Sequence, residues 1–244
     1  MWLYGLHAVA AALVNPHRRA RRLLLTEEAE AALGPQVGGP WPLAPERTDR
    51  GRLDQLLGRG TVHQGAALLV DPLLQPPLAQ VLARPGPLLV LDQVSDPRNV
   101  GAILRSAAAF GAAGVIAQER NAPDETGALA KAASGALETV PLLRAVNIAR
   151  TLIALKAAGC WTVGLAPDAP APIAGPTLQS RRVALVLGAE DEGLRRLTRE
   201  TCDEVAHLAM PAPAAGPAMP SLNVAAAAAI ALYEISRPKD APAP

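Results

Sequence analysis

Aromatic residues are scarce in this 244-residue chain: three Trp, two Tyr and one Phe, 2% of the sequence. Half of the residues are apolar, so the core must be built mainly from Leu, Val and Ala. Base stacking is then a minor option, and any nucleic acid is held by shape and phosphate contacts. Only two cysteines are present, Cys160 and Cys202. They lie far apart and without metal-ligand spacing, which excludes a disulfide framework; both read as ordinary buried thiols, and no metal is expected. Neither sign of charge is in excess: 23 Lys and Arg against 22 Asp and Glu leave a formal +1. Nucleic-acid binding must therefore rest on local clusters. No apolar run nears the roughly 20 residues that span a bilayer. The N-terminus shows no signal pattern, because Gly5 and His7 interrupt its apolar run. A cytoplasmic protein with no membrane partner is expected. No G-x-G-x-x-G turn follows a candidate strand, which argues against an ordinary dinucleotide site.

What is present is organised around Leu88 to Phe110. The apolar run Leu88 to Leu91 reads as a buried parallel strand. A polar turn follows, and a helix begins near Val100 with Ile103, Leu104, Ala107 and Ala108 on one face. Asn99 is a good N-cap, and Arg105 falls early in that helix. Both lie just past the carboxyl end of a strand, where open α/β sheets hold ligands.

From residue 88 onward strands and helices alternate, which argues for a parallel sheet covered by helices. Val183 to Leu187 is a second pure apolar strand, followed at once by Gly188-Ala189-Glu190-Asp191-Glu192-Gly193. Gly188 would let a ligand approach the backbone, and Glu190 stands at the strand exit. A third stretch, Ser221-Leu222-Asn223-Val224, enters an Ala-rich final helix. Ser221 suits an N-cap there, and Asn223 is a mediocre helix former. Residues 1–71 form a small α/β module. In it Arg18, Arg19, Arg21 and Arg22 precede the strand Leu23 to Leu25. They are either a solvated turn or a phosphate-contacting patch. The five prolines of 71–87 mark 72–87 as a linker, 88–237 is the second domain, and 238–244 is a disordered tail.

Together the three polar stretches resemble the three motifs of the SpoU (TrmH-like) family of the SPOUT superfamily, the RNA ribose 2′-O-methyltransferases. The first runs from Asp96 to Arg105, the second from Val186 to Leu194, the third from Ser221 to Val224. Lys131 to Glu138 with Pro141 is similar to the family's central region. Tyr4-Gly5-Leu6-His7, Asn15-Pro16 and His63-Gln64-Gly65 resemble the RNA-binding extension of the large-subunit (23S) rRNA guanosine methyltransferases, a domain like certain ribosomal proteins. The resemblance implies an α/β fold whose C-terminal domain is a deep trefoil knot, a homodimer formed through it, and S-adenosylmethionine (AdoMet) as methyl donor. It implies a site of Asn99, Arg105, Glu190, Ser221 and Asn223. It implies cofactor contacts at Leu187, Gly188, Gly193, Leu208, Met210, Ser221 and Leu222, and RNA contacts at Arg18, Arg19, Arg21, Arg22 and Arg98. Arg98 stands where the family often has histidine. The 210–220 loop looks longer than usual, and five alanines follow Val224 where a serine is common. The alternatives are a tRNA ribose methyltransferase and a catalytically silent RNA-binding ribosome-assembly factor.

Overall fold

The computed structural model describes residues 1–173, 178, 180–210 and 222–237. Ser221, the tail 238–244 and most of the 210–220 loop lie outside the described residues.

The N-terminal module is a four-stranded sheet with helices packed on it. In chain order it comprises β1 (Trp2–Tyr4), α1 (Leu6–Val14), β2 (Ala20–Leu25), α2 (Glu27–Val37), β3 (Pro45–Arg47), α3 (Arg50–Leu57) and β4 (Ala66–Val70). The sheet order is β1-β4-β2-β3, with β4 antiparallel to both neighbours and β2 parallel to β3. Three-residue strands such as β1 and β3 are too short to show an alternation in sequence. Arg21 and Arg22 lie within β2, not in a turn before it. That strand starts at Ala20 and carries a bulge between Ala20 and Arg22. Helix α2 runs on through Gly34 and Pro35. It ends on Gly38, whose left-handed backbone (φ 70°) lets its N–H donate to Gly34 O.

The second domain holds β5 (Leu88–Leu91), α5 (Pro97–Ala109), β6 (Gly114–Gln118), α6 (Gly127–Ala133), a 3₁₀ turn (Ala136–Glu138), β7 (Leu142–Ala145), α7 (Ile148–Ala157), β8 (Cys160–Leu165), β9 (Arg182–Leu187), α8 (Arg196–Thr201), β10 (Glu204–Ala206) and α9 (Val224–Ser236). The six strands form one parallel sheet in the order β10-β8-β9-β5-β6-β7. Every residue of β5 and β6 is buried, as expected of strands covered on both faces. Register places Leu165, Leu187, Leu91 and Ala117 level across four neighbouring strands. Ala166, Gly188, Asp92 and Gln118 therefore share the sheet's carboxyl edge. The chain winds outward in one direction from β5 and in the other from β9, so this edge carries the crevice in which α/β sheets place ligands.

Two cores cover the faces of the sheet. One joins α5, α6 and α9 to α1 and the module's strands; the other lies under α7. The second also takes in part of the 72–87 segment. Residues Leu78–Leu82 form a short helix, α4, Val81 is fully buried, and the Arg182 guanidinium donates to the carbonyls of Val81, Leu82 and Arg84. The segment is strapped to the sheet rather than free. Cys160 is buried and Cys202 is half-buried; burial pushes the Cys202 thiol up to about 12, which keeps it protonated at neutral pH.

Candidate active site

Helix α5 starts one turn earlier than its apolar face suggests. Asp96, not Asn99, is its N-cap, accepting from the Arg98 N–H at 2.9 Å, and Pro97 occupies the first turn. Proline fixes φ near the helical value and has no N–H to leave unsatisfied, so Asp-Pro is a strong start signal. Asn99 is thereby released from capping, and its carboxamide points across the sheet edge.

Asn223 takes the opposite role. It caps α9 through Oδ1, which accepts from the Ala225 and Ala226 N–H groups at 3.0 and 3.4 Å. Its Nδ2 is then free to donate to Glu190 Oε1 at 2.5 Å and to Asn99 Oδ1 at 3.0 Å. Asn99 Nδ2 donates to the same Glu190 oxygen at 3.2 Å, and the Val224 N–H adds a donor at 3.3 Å. Residues from three distant stretches thus close one hydrogen-bonded cluster. A carboxylate at the start of a 13-residue helix is also favoured by the helix dipole.

The loop carrying Glu190 is held from two sides. The Ala189 N–H donates to Gly193 O at 3.1 Å and the Gly193 N–H to Ala189 O at 2.9 Å, a one-bridge hairpin. Gly188 is needed for that closure: a Cβ there would lie 2.1 Å from the Gly193 carbonyl carbon. Its smallness serves the loop's own packing, and the same residue lines the cavity beside the loop. Behind the loop, the fully buried Asp92 carboxylate accepts from the Arg195 N–H at 3.1 Å and from Arg195 Nε at 2.8 Å, with Nη2 2.6 Å away. Arg195, so anchored, is the residue immediately before α8. Sequence reading missed both partners; the one available signal was an acidic residue at a strand exit.

Beside the cluster lies a cavity of about 870 Å³, walled by the segments 165–168, 187–194 and 207–210 with Leu222, Val224 and Ala227. It is a concave, mostly apolar site of a size that takes a nucleoside-scale ligand. Leu187, Gly188, Gly193, Leu208, Met210 and Leu222 all line it, and so does Glu190. Asp168 and Arg199, not anticipated from sequence, pair at its wall at 2.8 and 2.9 Å. The Arg199 hydrogen bond holds the Asp168 carboxyl below its ordinary value. Among the described residues no group of three or more His, Cys, Asp or Glu could hold a metal ion.

This arrangement can be set beside known proteins. The profile of the SpoU rRNA methylase family matches residues 86–233. The chain belongs to that family. A second profile, for RNA 2′-O ribose methyltransferase substrate binding, matches residues 2–76. The chain is 39% identical over 247 residues to the 23S rRNA (guanosine-2′-O-)-methyltransferase RlmB of Vibrio vulnificus, covering 97% of this chain and 96% of that one. It is 38% identical over 249 residues to RlmB of Escherichia coli K12, covering 96% and 97%. The fold is shared with the SpoU methyltransferase AviRb from Streptomyces viridochromogenes, solved with AdoMet, at a TM-score of 0.75 and 23% identity over 97% of this chain and 89% of that one.

Of the residues the SpoU resemblance points to, Asn99, Glu190 and Asn223 come together and Ser221 is outside the described residues. Arg105 is exposed on α5 and makes no hydrogen bond or ion pair among the described residues. Arg98 is exposed and faces Tyr4 of the module: burial raises the Tyr4 phenol, and the Arg98 charge draws it partly back. The basic cluster divides. Arg18 is a correction to the sequence reading: its side chain is 0% exposed and paired with Glu138 and Glu125, so it offers nothing to a phosphate. Arg19 is 71% exposed, 3.9 Å from Asp71. Arg21 and Arg22 are half-exposed, in forked pairs with Asp71 and Glu46. No helix among the described residues is long and apolar enough to cross a membrane.

Proposed function

We propose that this SpoU-family enzyme transfers a methyl group from AdoMet to the ribose 2′-hydroxyl of a guanosine in 23S ribosomal RNA. The observation that carries the reading is the Asn99–Glu190–Asn223 cluster, whose Glu190 lines the 870 Å³ cavity. Similarity to the guanosine methyltransferases along nearly the whole chain supports the substrate.

The cavity fits AdoMet in volume and in its largely apolar wall, and the acidic Glu190, Asp191, Glu192 and Asp168 suit a cationic sulfonium. Leu187, Gly188, Gly193, Leu208, Met210 and Leu222 are the residues that would hold it, with Ser221 beside them. When bound, AdoMet supplies a methyl group already activated for displacement. The chain's own task is to align the hydroxyl and ease the loss of its proton, so positioning supplies much of the acceleration. Asn99 and Asn223 fix Glu190 by amide hydrogen bonds. Arg105, with no partner among the described residues, holds the target phosphate, and its fixed positive charge lowers the proton affinity of the hydroxyl. A guanidinium is always protonated, so it acts as a charge and not as the base. Arg19, Arg21, Arg22 and Arg98 contact RNA phosphates, exchanging their carboxylate partners for them where they have them.

In this reading the second domain is a trefoil knot. The chain leaves β10 at the outer edge of the sheet and re-enters at Leu222, with α9 packed on α5 and β9 near the middle, which supports it. A homodimer forms through the same domain, where α9 exposes Ile230 and Tyr233. Action on ribosomal RNA places the protein in the cytoplasm. The test is nucleotide-resolution mapping of 2′-O-methylation in ribosomal RNA from cells with and without the gene. One guanosine losing its methyl group supports the reading, and an unchanged map overturns it.

A further inference from the structure

The boundary between module and methyltransferase domain is largely apolar. Ala8, Val9, Ala12 and Leu13 of α1 share a core with Leu129, Ala130, Ala133 and Leu137. The faces meet closely: a Cβ on Gly127 would lie 2.4 Å from the Tyr4 ring. These side chains supply burial, which is non-directional, so the polar groups among them decide which atoms of the two bodies must meet.

Set into this face is a dense polar contact. Arg18 Nε donates to both Glu138 carboxylate oxygens at 3.1 and 3.0 Å, and Nη2 to Oε1 at 2.7 Å. Arg18 Nη1 donates to Asp71 O at 3.0 Å and to Glu125 Oε2 at 3.4 Å. Asn15 Nδ2 donates to Glu138 Oε2 at 2.7 Å. The Arg18 and Glu138 side chains are 0% and 4% exposed. At the rim, Lys131 Nζ donates to Gln64 Oε1, which also accepts the Leu6 N–H. The Tyr4-Gly5-Leu6 and His63-Gln64-Gly65 stretches thus meet the methyltransferase domain.

A buried ion pair adds little net stability over apolar packing, but breaking it leaves a desolvated charge unpaired. Any rotation or slide of the module would do that. We infer that the Arg18–Glu138 pair is a positioning element: it locks the RNA-holding module at one angle to the Asn99–Glu190–Asn223 cluster, so that bound RNA presents one ribose and not its neighbours. This rests on the proposed reading that RNA held by the module is the substrate. Neither residue touches reacting atoms, so the effect must show in which ribose is modified and in turnover, not in cofactor binding.

The experiment uses the full-length chain carrying Arg18→Met with Glu138→Gln, ribosomal RNA from cells lacking the gene, and nucleotide-resolution mapping of the product. The expected result is methylation spread to neighbouring riboses, or kcat at the wild-type position lower by about tenfold or more, with AdoMet affinity by calorimetry within about twofold. Methylation of the same single ribose at wild-type kcat overturns the proposal, even if Tm falls, because that outcome is a purely structural role. Should that variant fail to fold, Arg18→Lys carries the test. It keeps the charge and the ion pair but loses the fork; Glu138→Gln, which removes the carboxylate, is measured beside it, and wild-type site choice and kcat in both overturn the proposal equally. Wild-type protein that leaves the RNA unmethylated removes the substrate reading itself and the inference with it. An active wild type with indifferent variants removes the inference alone.

Discussion

Arg18 of the module has its guanidinium enclosed by Glu138, Glu125 and the Asp71 carbonyl; Arg105 of the methyltransferase domain presents its own to solvent with no partner among the described residues. The same contrast runs through the two regions. Motif residues of the second domain end at the carboxyl edge of a parallel sheet, where side chains from three stretches converge on one carboxylate. Polar residues of the module's motifs end in its joint with that domain, where Asn15 and Gln64 bind Glu138 and Lys131. A polar residue in a short motif marks a place where the backbone or a neighbour needs a specific partner, and burial decides whether that partner is substrate or protein.

The sharpest way to break the comparison is Arg105→Ala. Turnover should fall by roughly a hundredfold or more, since a positioning charge is lost, while AdoMet affinity by calorimetry stays near wild type; a large loss of affinity would mean that Arg105 belongs to the cofactor site. Next comes Asp92→Ala, which removes the buried anchor of the Glu190 loop. Arg195 is 40% exposed and can rehydrate, so the cost should be about 2 kcal/mol in urea unfolding, and an unchanged midpoint would show that the loop is held without it. Asn223→Asp separates the two roles of one residue. The cap survives, because Asp and Asn cap equally well, but a like charge replaces the donor to Glu190. The lost donations and the repulsion should lower thermal stability by about 1–2 kcal/mol and kcat should drop by about tenfold; the same loss of stability with kcat unchanged would make Asn223 a structural residue only. The smallest effect belongs to Arg19, Arg21 and Arg22 changed together to Ala. The slope of log affinity for RNA against log salt should flatten by about 2. Arg18 is left out, being paired inside the joint, and an unchanged slope would move the RNA contacts elsewhere.

Much of the second domain was legible in its residues. The runs Leu88–Leu91 and Val183–Leu187, with the 3.6-residue spacing of α5, gave the strands and helix that frame the crevice. The Asn99 cap was misplaced because Asp96-Pro97 competes with it and starts the helix first. Asp92–Arg195 and Asp168–Arg199 were invisible, since each joins residues at least 31 positions apart and neither partner sits in a distinctive pattern. The arginine run was read as one patch; Arg21 and Arg22 at the start of β2 are half-exposed while Arg18, before the strand, turns inward.

Local order in this chain follows from the residues alone: where apolar runs make strands, where Asp-Pro and Asn begin helices, and which three polar turns carry family chemistry. These are short-range matters of sterics, hydrogen-bond capping and hydrophobic period. Which polar groups meet is a long-range matter. Asn99, Glu190 and Asn223 share one oxygen, and Arg18 rather than its neighbours is the buried one, because strand order and helix packing bring them there; neither is encoded in any window of sequence.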